Sequence, residues 1–315
     1  MRVPLAYLEL TRACNERCCY CYNDSGRPLA GELGTDAIGE VVEGFVAQGG
    51  QQLMITGGEC LLHPGIVDVM ERARATPQVR WLAMSTNGLL LDSPRGRAVL
   101  ELCDEVDISL DGFADIHDPL RGVRSWDKTL AALRLAGASE ARLHVNACLT
   151  APLWRDLERY LGLLEEAGVA SVKIALIGGV GRQRTPKSLF DGLPARTVIA
   201  ESLDEVAERW HGRLDVSQSS SRKVSPVTPA TDGVVIDPLG RLFPQLGCQG
   251  LQWQLGWASP RWELWDESLD RYLDRMRVVE RIGSSRVAAG EYVEWWALIR
   301  DELESGPEEG VARVD

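Results

Sequence analysis

Residues 14–21 read CNERCCYC, and this stretch directly follows the first strand-like segment of the chain, Leu5–Thr11. Cys14, Cys18 and Cys21 have the spacing C-x3-C-x2-C, at which three thiolates can each bind one iron of a [4Fe–4S] cube. The fourth iron then has no protein ligand and is free to bind a small molecule. A structural zinc site, the alternative, needs four closed ligands, and no further Cys or His follows at zinc-ribbon spacing. We interpret Cys19 as a bystander to the motif.

The composition limits the class of protein. The 315 residues include 46 acids and 34 bases, a formal charge of −12, which disfavours nucleic acid and favours a cationic or neutral small-molecule ligand. No apolar run reaches the roughly 18 residues that a membrane helix needs, and the opening residues lack a signal-peptide layout. Eight cysteines in such a chain indicate metal or redox chemistry rather than disulfides. We therefore expect a cytoplasmic protein that binds neither membranes nor nucleic acid.

From residue 5 to about residue 210, short apolar segments alternate with longer amphipathic ones. The predicted strands are Leu5–Thr11, Gln52–Gly58, Val79–Asn87, Val106–Asp111, Leu143–Thr150 and Ser171–Ile177. The clearest predicted helices are Thr35–Ala47, Gly65–Ala75, Ser125–Leu135 and Leu153–Ala167. Such βα repeats predict an α/β fold, with a parallel sheet that is either open or curled towards a barrel. In both cases, functional groups are expected at the carboxyl ends of the strands.

After about residue 211 this rhythm stops. Gly233–Gly247 is typical of a hairpin with a turn at Asp237-Pro-Leu-Gly240, and helices are predicted near Glu263–Val278 and Glu291–Glu304. This extension holds six of the ten tryptophans and much of the acidity. We therefore divide the chain into a core, residues 1–210, and an extension, residues 211–315.

The motif and the strand ends together resemble the radical S-adenosylmethionine (SAM) enzymes. Tyr20, just before the third cysteine of the motif, matches the family's aromatic residue that contacts the SAM adenine. Gly57, Gly58 and Glu59, at the end of the second predicted strand, match the GGE motif that binds the methionine amino group. The family usually has proline at the next position, where this chain has Cys60.

Two further strand ends extend the resemblance. Ser85 and Asn87 end the third predicted strand, and Ser109 and Asp111 end the fourth. They are similar to the polar strand ends of the branch that carries SPASM or twitch extensions. In that branch such residues, with a later arginine that here is Arg121, approach the ribose and carboxylate of SAM.

The resemblance implies the fold and the cofactors. It implies a partial (β/α)6 TIM-like barrel of the radical SAM type over the core, with a small α+β substrate-binding extension. It also implies one [4Fe–4S] cluster, SAM as co-substrate, and an external one-electron reductant of the flavodoxin or ferredoxin type. Cleavage of SAM then gives methionine and a 5′-deoxyadenosyl radical, which removes hydrogen from an unactivated C–H bond.

The cysteines outside the motif bear on the type of reaction. The extension has a single cysteine, Cys248, which cannot hold an auxiliary cluster, so a redox-neutral reaction is favoured. Cys248 follows the predicted hairpin, and its S–H bond is weak enough to donate hydrogen to a substrate radical from the opposite face. Cys60 is a rival donor, whereas Cys103 and Cys148 are predicted to be buried small hydrophobic residues.

These features favour a radical SAM epimerase, with Cys248 as the catalytic hydrogen donor. The chain resembles the aminoglycoside epimerases of neomycin-type biosynthesis, which pair the same cluster motif with one carboxyl-terminal cysteine. The tryptophans and carboxylates of the extension suit a cationic aminosugar. One alternative is another redox-neutral radical SAM reaction, such as peptide epimerisation or the dehydration or decarboxylation of a sugar or nucleoside. The other is a zinc or iron–sulfur scaffold without catalysis.

Overall fold

The computed structural model describes residues 4–176, 182, 187–218, 233–244, 254–259, 261–289, 298–299 and 301–302. In these residues a single sheet runs through the molecule, with strands in the order β11-β10-β9-β8-β1-β2-β3-β4-β5-β6-β7. The strands of the core pair in parallel and in chain order: β1 (Leu5–Glu9), β2 (Gln52–Thr56), β3 (Trp81–Thr86), β4 (Glu105–Ser109), β5 (Arg142–Cys148), β6 (Ser171–Ala175) and β7 (Asp215–Gln218). The predicted α/β class with a parallel sheet is confirmed, and it is consistent with a partial barrel.

Helices connect the parallel strands. They are α1 (Thr35–Ala47), α2 (Ile66–Ala75), α3 (Pro94–Glu101), α4 (Ala114–Arg121), α5 (Trp126–Gly137), α6 (Ala151–Arg155), α7 (Leu157–Glu166), α8 (Arg196–Trp210) and, in the extension, α9 (Asp266–Ala288). The bounds predicted for α1 are confirmed, because its apolar residues recur at helical spacing and are buried. The single helix predicted over Leu153–Ala167 is instead two helices, since Asp156 (φ −104°, ψ 16°) ends α6 and precedes α7.

The strands separate an apolar side from a polar side. In β5, Leu143, Val145 and Ala147 are buried in the hydrophobic core. The alternate residues point to the other side of the sheet, as the twofold period of a strand requires. β4 follows the same rule, with Val106 and Ile108 in the core. The polar residues of β4 and β5 therefore share the inner surface of the curved sheet.

The extension joins this sheet. The predicted hairpin is confirmed as β8 (Val234–Ile236) and β9 (Arg241–Phe243), with β10 (Gly256–Trp257) and β11 (Glu263–Leu264) beyond it. Asp237 stabilises the hairpin turn by accepting hydrogen bonds from the backbone of Leu239 and Arg241.

The sheet crosses the boundary that we placed at residue 210. β8 pairs in parallel with β1, and β7 continues the parallel order beyond that residue, which the sequence did not predict.

The remaining predictions for the extension have mixed outcomes. The helix predicted near Glu263–Val278 is α9, which begins later, after β11, and is longer. Only residues 298–299 and 301–302 of the last predicted helix, Glu291–Glu304, are described, and they are helical. Among the described helices, none combines the length and apolar character needed to cross a bilayer.

Candidate active site

A cavity of about 340 Å³ lies at the carboxyl ends of the parallel strands, where the sequence predicted the functional groups. Cys14, Cys18 and Cys21 all line it. The chain enters the cysteine loop at the end of β1, and hydrogen bonds from Arg17 N to Arg121 O (2.9 Å) and from Cys19 N to Leu120 O (2.9 Å) fix the loop against α4. The loop therefore turns three thiols towards one space, while Cys19 does not line the cavity.

Each of the three thiols has an N–H donor beside its sulfur. The backbone N–H of Glu16 donates to Cys14 Sγ (3.4 Å), and that of Ser25 donates to Cys21 Sγ (3.4 Å). Arg121 Nη1 lies 3.8 Å from Cys18 Sγ. Hydrogen bonds to the sulfurs stabilise thiolates and tune the potential of an iron–sulfur cluster. The loop thus offers three sulfurs, each with a hydrogen-bond donor that can stabilise its thiolate once a metal is bound.

Without a metal, Cys14 and Cys18 hold their protons. Burial raises the pKa of Cys14 to about 11 and that of Cys18 to about 12. Because the thiolate is the ligand, metal binding must displace these protons. In the part of the chain that the structure describes, no three Cys, His, Asp or Glu side chains converge on one ion position. The three thiols instead surround a cavity, an arrangement that fits a cube bound at separate iron corners.

An arginine from beyond β6 clamps the same loop. Arg182 donates from Nη1 to Cys18 O (3.0 Å), from Nη2 to Ser25 O (2.6 Å) and from its backbone N–H to Cys21 O (2.8 Å). Its Nε also pairs with Asp24 Oδ1 (2.6 Å). The Arg182 side chain therefore holds two carbonyls of the cysteine loop in place. The preceding glycines, 178, 179 and 181, lie outside the described residues.

Gly57 and Gly58 line the cavity, and the structure gives them a packing reason. A Cβ on Gly58 would lie 2.3 Å from Ala13 O, and one on Gly57 would lie 2.6 Å from Thr11 O. Gly57 also has φ +145°, which other residues rarely adopt. Their backbone therefore runs directly against the loop that carries the cysteines.

Glu59 does not line the cavity. Its buried carboxylate accepts hydrogen bonds from Asn87 N (2.8 Å), Thr86 Oγ1 (2.8 Å) and Leu61 N (3.1 Å). These bonds join the end of β2 to the end of β3, so the side chain acts here as a brace between strand ends. Contact of Glu59 with the methionine amino group stays a prediction.

The predicted residues at the ends of β3 and β4 do reach the cavity. Ser85, Asn87 and Ser109 line it, and Asn87 Nδ2 donates to Asn15 Oδ1 (2.6 Å) in the cysteine loop. Asp111 Oδ1 accepts from Cys148 N (2.9 Å), which connects β4 to β5.

Asp111, Arg121 and Tyr20 form one buried network on the cavity wall. Arg121 Nε lies 2.7 Å from Asp111 Oδ2, which also accepts the Tyr20 hydroxyl, and Arg121 Nη1 lies 3.3 Å from Glu16 Oε2. Burial favours a raised pKa for Asp111, but Arg121, His117 and the hydrogen bonds outweigh it and lower the pKa. The guanidinium is therefore already neutralised by carboxylates.

Several cavity residues were not predicted as site residues, and among them are Glu16, Asp107, Asn146 and Cys148. Glu16 lies inside the cysteine motif, between its first two cysteines. Asp107 precedes Ser109 and Asp111 at strand spacing, so the alternation along β4 was the available signal. The expectation that Cys148 is a buried hydrophobic residue is wrong, because β5 turns it to the polar side.

The other thiols have different positions. Cys103 is buried in the core, as predicted. Cys60 is fully buried, donates to Ser85 O (3.3 Å) and does not line the cavity, which weakens it as a rival donor. Cys248, the predicted hydrogen donor, lies outside the described residues.

The described tryptophans of the extension do not line the cavity. Trp262 packs on Phe45 of α1, with ring centroids 6.2 Å apart, while Trp257 is half-buried and Trp265 is 37% exposed. Trp262 is thus part of the packing between the extension and α1. The other three tryptophans of the extension lie outside the described residues.

Comparison with known proteins shows which family part of the chain resembles. Residues 8–146, which include the cysteine motif and every predicted SAM residue, match the model of the radical SAM superfamily. The radical SAM character of this segment is thereby supported. Its cofactors are therefore a [4Fe–4S] cluster and SAM, and the three thiols around the cavity fit the cluster.

Two curated relatives are similar to about two thirds of this chain. GTP 3′,8-cyclase 1 of Pseudomonas aeruginosa is 32% identical over 226 residues, which cover 68% of this chain and 64% of the relative. Pre-heme d1 synthase of Dinoroseobacter shibae is 30% identical over 217 residues, 66% of this chain and 53% of the relative. This chain therefore spans less than two thirds of the length of these relatives.

The solved structure of Streptococcus suis SuiB bound to S-adenosylmethionine matches with a TM-score of 0.63 at 12% identity, over 79% of this chain and 62% of that one. At this identity the likeness shows a shared fold.

Proposed function

We propose that this radical SAM chain is a cytoplasmic epimerase that inverts one carbon of a cationic aminosugar of the neomycin-type aminoglycoside class. The observation that carries the proposal is the charge of the cavity wall. Glu16, Asp107 and Asp111 line the cavity with a single cation, Arg121, among the described residues. Arg121 is already paired with two of these carboxylates, so the wall has an excess of negative charge. A cationic substrate is favoured there.

The reaction type rests on the count of thiols. Cys248 is the single cysteine in the sequence after residue 148. One thiolate cannot hold a second cluster whose other ligands are protein residues, so the chain offers no auxiliary electron acceptor of that kind. A redox-neutral outcome is thereby favoured. The relatives are named as a cyclase and a synthase, so the epimerase proposal rests on this chain's own residues.

The proposed reaction divides between cofactors and protein. When bound and given one electron by the external donor, the cluster and SAM would supply methionine and a 5′-deoxyadenosyl radical able to take one hydrogen atom from the substrate carbon. Cys248 donates the hydrogen atom of its S–H bond to the opposite face, which inverts the carbon and leaves a sulfur-centred radical. One electron from an external flavodoxin- or ferredoxin-type donor, with one proton from solvent, restores the thiol. The cavity residues place the substrate and exclude water.

The test compares three cysteine variants in anaerobically reconstituted protein with SAM, reductant and neomycin-type aminoglycosides. Cys248→Ala is expected to form 5′-deoxyadenosine but no inverted product. Cys148→Ala tests the thiol on the cavity wall, and Cys103→Ala, in the core, is the matched control. Both are expected to retain inversion.

Isotope labelling adds an independent readout. In D2O the wild-type product is expected to carry one deuterium at the inverted carbon, because a thiol exchanges its hydrogen with solvent. Full inversion by Cys248→Ala contradicts the assignment of this cysteine. Loss of inversion in Cys148→Ala alone assigns the donor to the cavity wall, and the absence of any epimerised sugar with the wild type contradicts the proposed function itself.

A further inference from the structure

Asp107 lines the cavity and is not among the residues that the sequence assigned to SAM. It shares one side of β4 with Ser109 and follows the same alternation as Asp111. Two residues of a strand span about 7 Å, so Asp107 lies one strand repeat further from the cysteine loop than Ser109 does.

The two oxygens of Asp107 have different surroundings. Oδ2 accepts a hydrogen bond from Asn146 Nδ2 (3.1 Å), which comes from the neighbouring strand β5. Oδ1 is shielded from solvent and has no hydrogen-bond partner among the described residues. An unpaired buried carboxylate oxygen is costly, and such groups are rare unless they serve a ligand.

The other charged groups of the cavity do not neutralise Asp107. Arg121 pairs with Asp111 and Glu16 on the side of the cysteine loop. Lys173 of β6 acts on Asp107 through its charge, but its side chain is exposed. Burial outweighs both Asn146 and Lys173, and it raises the pKa of Asp107 to about 6. The site therefore lacks a positive charge that a ligand can supply.

We propose that Asp107 anchors an ammonium group of the substrate, with Oδ1 accepting its hydrogen bond and Asn146 holding the carboxylate in place. This inference rests on the proposed function, because it names the residue that recognises the cationic aminosugar. SAM also carries an ammonium and a sulfonium group, so the cation that binds Asp107 could come from the substrate or from SAM. The experiment must therefore measure the binding of each.

Asp107→Asn removes the charge and keeps the shape, and Asp127→Asn, exposed in the first turn of α5, is the control for net charge. Binding of SAM, of neomycin and of fully N-acetylated neomycin is measured by anaerobic calorimetry on reconstituted protein. Thermal melting checks that each variant is folded. We expect Asp107→Asn to bind neomycin about 10- to 100-fold more weakly, the effect of one charged hydrogen bond, with SAM binding unchanged. N-acetylated neomycin is expected to bind weakly to both proteins.

These binding measurements distinguish a failure of the inference from a failure of the proposed function. If Asp107→Asn weakens SAM and leaves neomycin unchanged, the carboxylate serves SAM and the inference is overturned. If the wild type binds and epimerises the sugar and Asp107→Asn does so equally well, the inference alone is overturned. If the wild type binds SAM and no cationic sugar, the proposed substrate class and the inference fall together. If Asp127→Asn weakens neomycin binding as much as Asp107→Asn does, the effect comes from net charge, and a local role for Asp107 is contradicted.

Discussion

Asp107 on β4 and Asp111, two residues beyond the end of that strand, are expected to affect stability in opposite directions when each is replaced by asparagine. Burial raises the pKa of Asp107 from its usual 3.8 to about 6. Because this pKa is higher in the folded protein than in the unfolded chain, stability is lost as the pH rises from about 4 to about 6. The loss is complete above pH 6, and about two pKa units correspond to about 3 kcal/mol. Asp107→Asn is therefore expected to stabilise the protein at pH 7.5 by up to about 3 kcal/mol.

Asp111 has the opposite balance. Its pKa is lowered, because Arg121 and its hydrogen bonds outweigh the effect of burial. Its contribution to stability is present above the unfolded pKa and is lost as the pH falls. Removing one partner of a buried ion pair costs about 3–5 kcal/mol, so Asp111→Asn is expected to destabilise the protein.

The assay is thermal melting of the reconstituted, SAM-free protein at pH 7.5 and at pH 4.5. For a chain of this length, about 3 kcal/mol corresponds to a rise of roughly 4 °C for Asp107→Asn at pH 7.5, and the gain is expected to shrink at pH 4.5. Asp111→Asn is expected to melt below the wild type at pH 7.5. If Asp107→Asn melts at or below the wild type at pH 7.5, the conclusion that Asp107 carries a destabilising, unpaired charge is refuted.

Three further predictions follow from the same contacts. Gly58→Ala is expected to cost about 1–3 kcal/mol of stability and to impair cluster assembly, because the new methyl meets Ala13 O, whereas Gly162→Ala, in open space on α7, is expected to melt at or above the wild type. Arg182→Ala is expected to lose iron to a chelator about tenfold faster, because charged hydrogen bonds to the cysteine loop are removed; an unchanged rate contradicts its role as a clamp. Neomycin binding is expected to strengthen as the pH rises through about 6 and then to level off, because Asp107 ionises over this range. The ionisable groups near Asp107 are Lys173 of β6, Glu105 of β4 and the partly buried His144 of β5. Neomycin binding that stays constant from pH 5 to pH 8 contradicts this prediction.

The sequence located the parallel strands well because their apolar segments are short, uninterrupted and separated by turn residues. It missed α3 and α4, which have only eight residues each, and α4 contains Pro119, which argues against a helix. It also missed β7, whose four residues alternate between buried and exposed and include no long apolar run. Short elements of this kind are fixed by the sheet and helices that they pack against rather than by their own sequence.

The site was predictable where identity and spacing decide it, as for the three cysteines. The orientation of the other side chains was not predictable. The sequence gives no indication that the Glu59 carboxylate turns into a brace between β2 and β3, because this depends on the hydrogen bonds offered by Thr86 and Asn87. It also does not show that β5 turns Cys148 to the cavity, since a cysteine in a strand fits either side.

The account depends most directly on three thiolates that hold a cluster and leave one iron open to SAM. Electron paramagnetic resonance of the dithionite-reduced, reconstituted protein tests this before and after SAM is added. We predict a [4Fe–4S]+ signal that changes when SAM binds, and that is lost when Cys14, Cys18 or Cys21 is replaced by alanine. A cluster signal that SAM leaves unchanged, or one that survives the loss of any of these cysteines, contradicts the account.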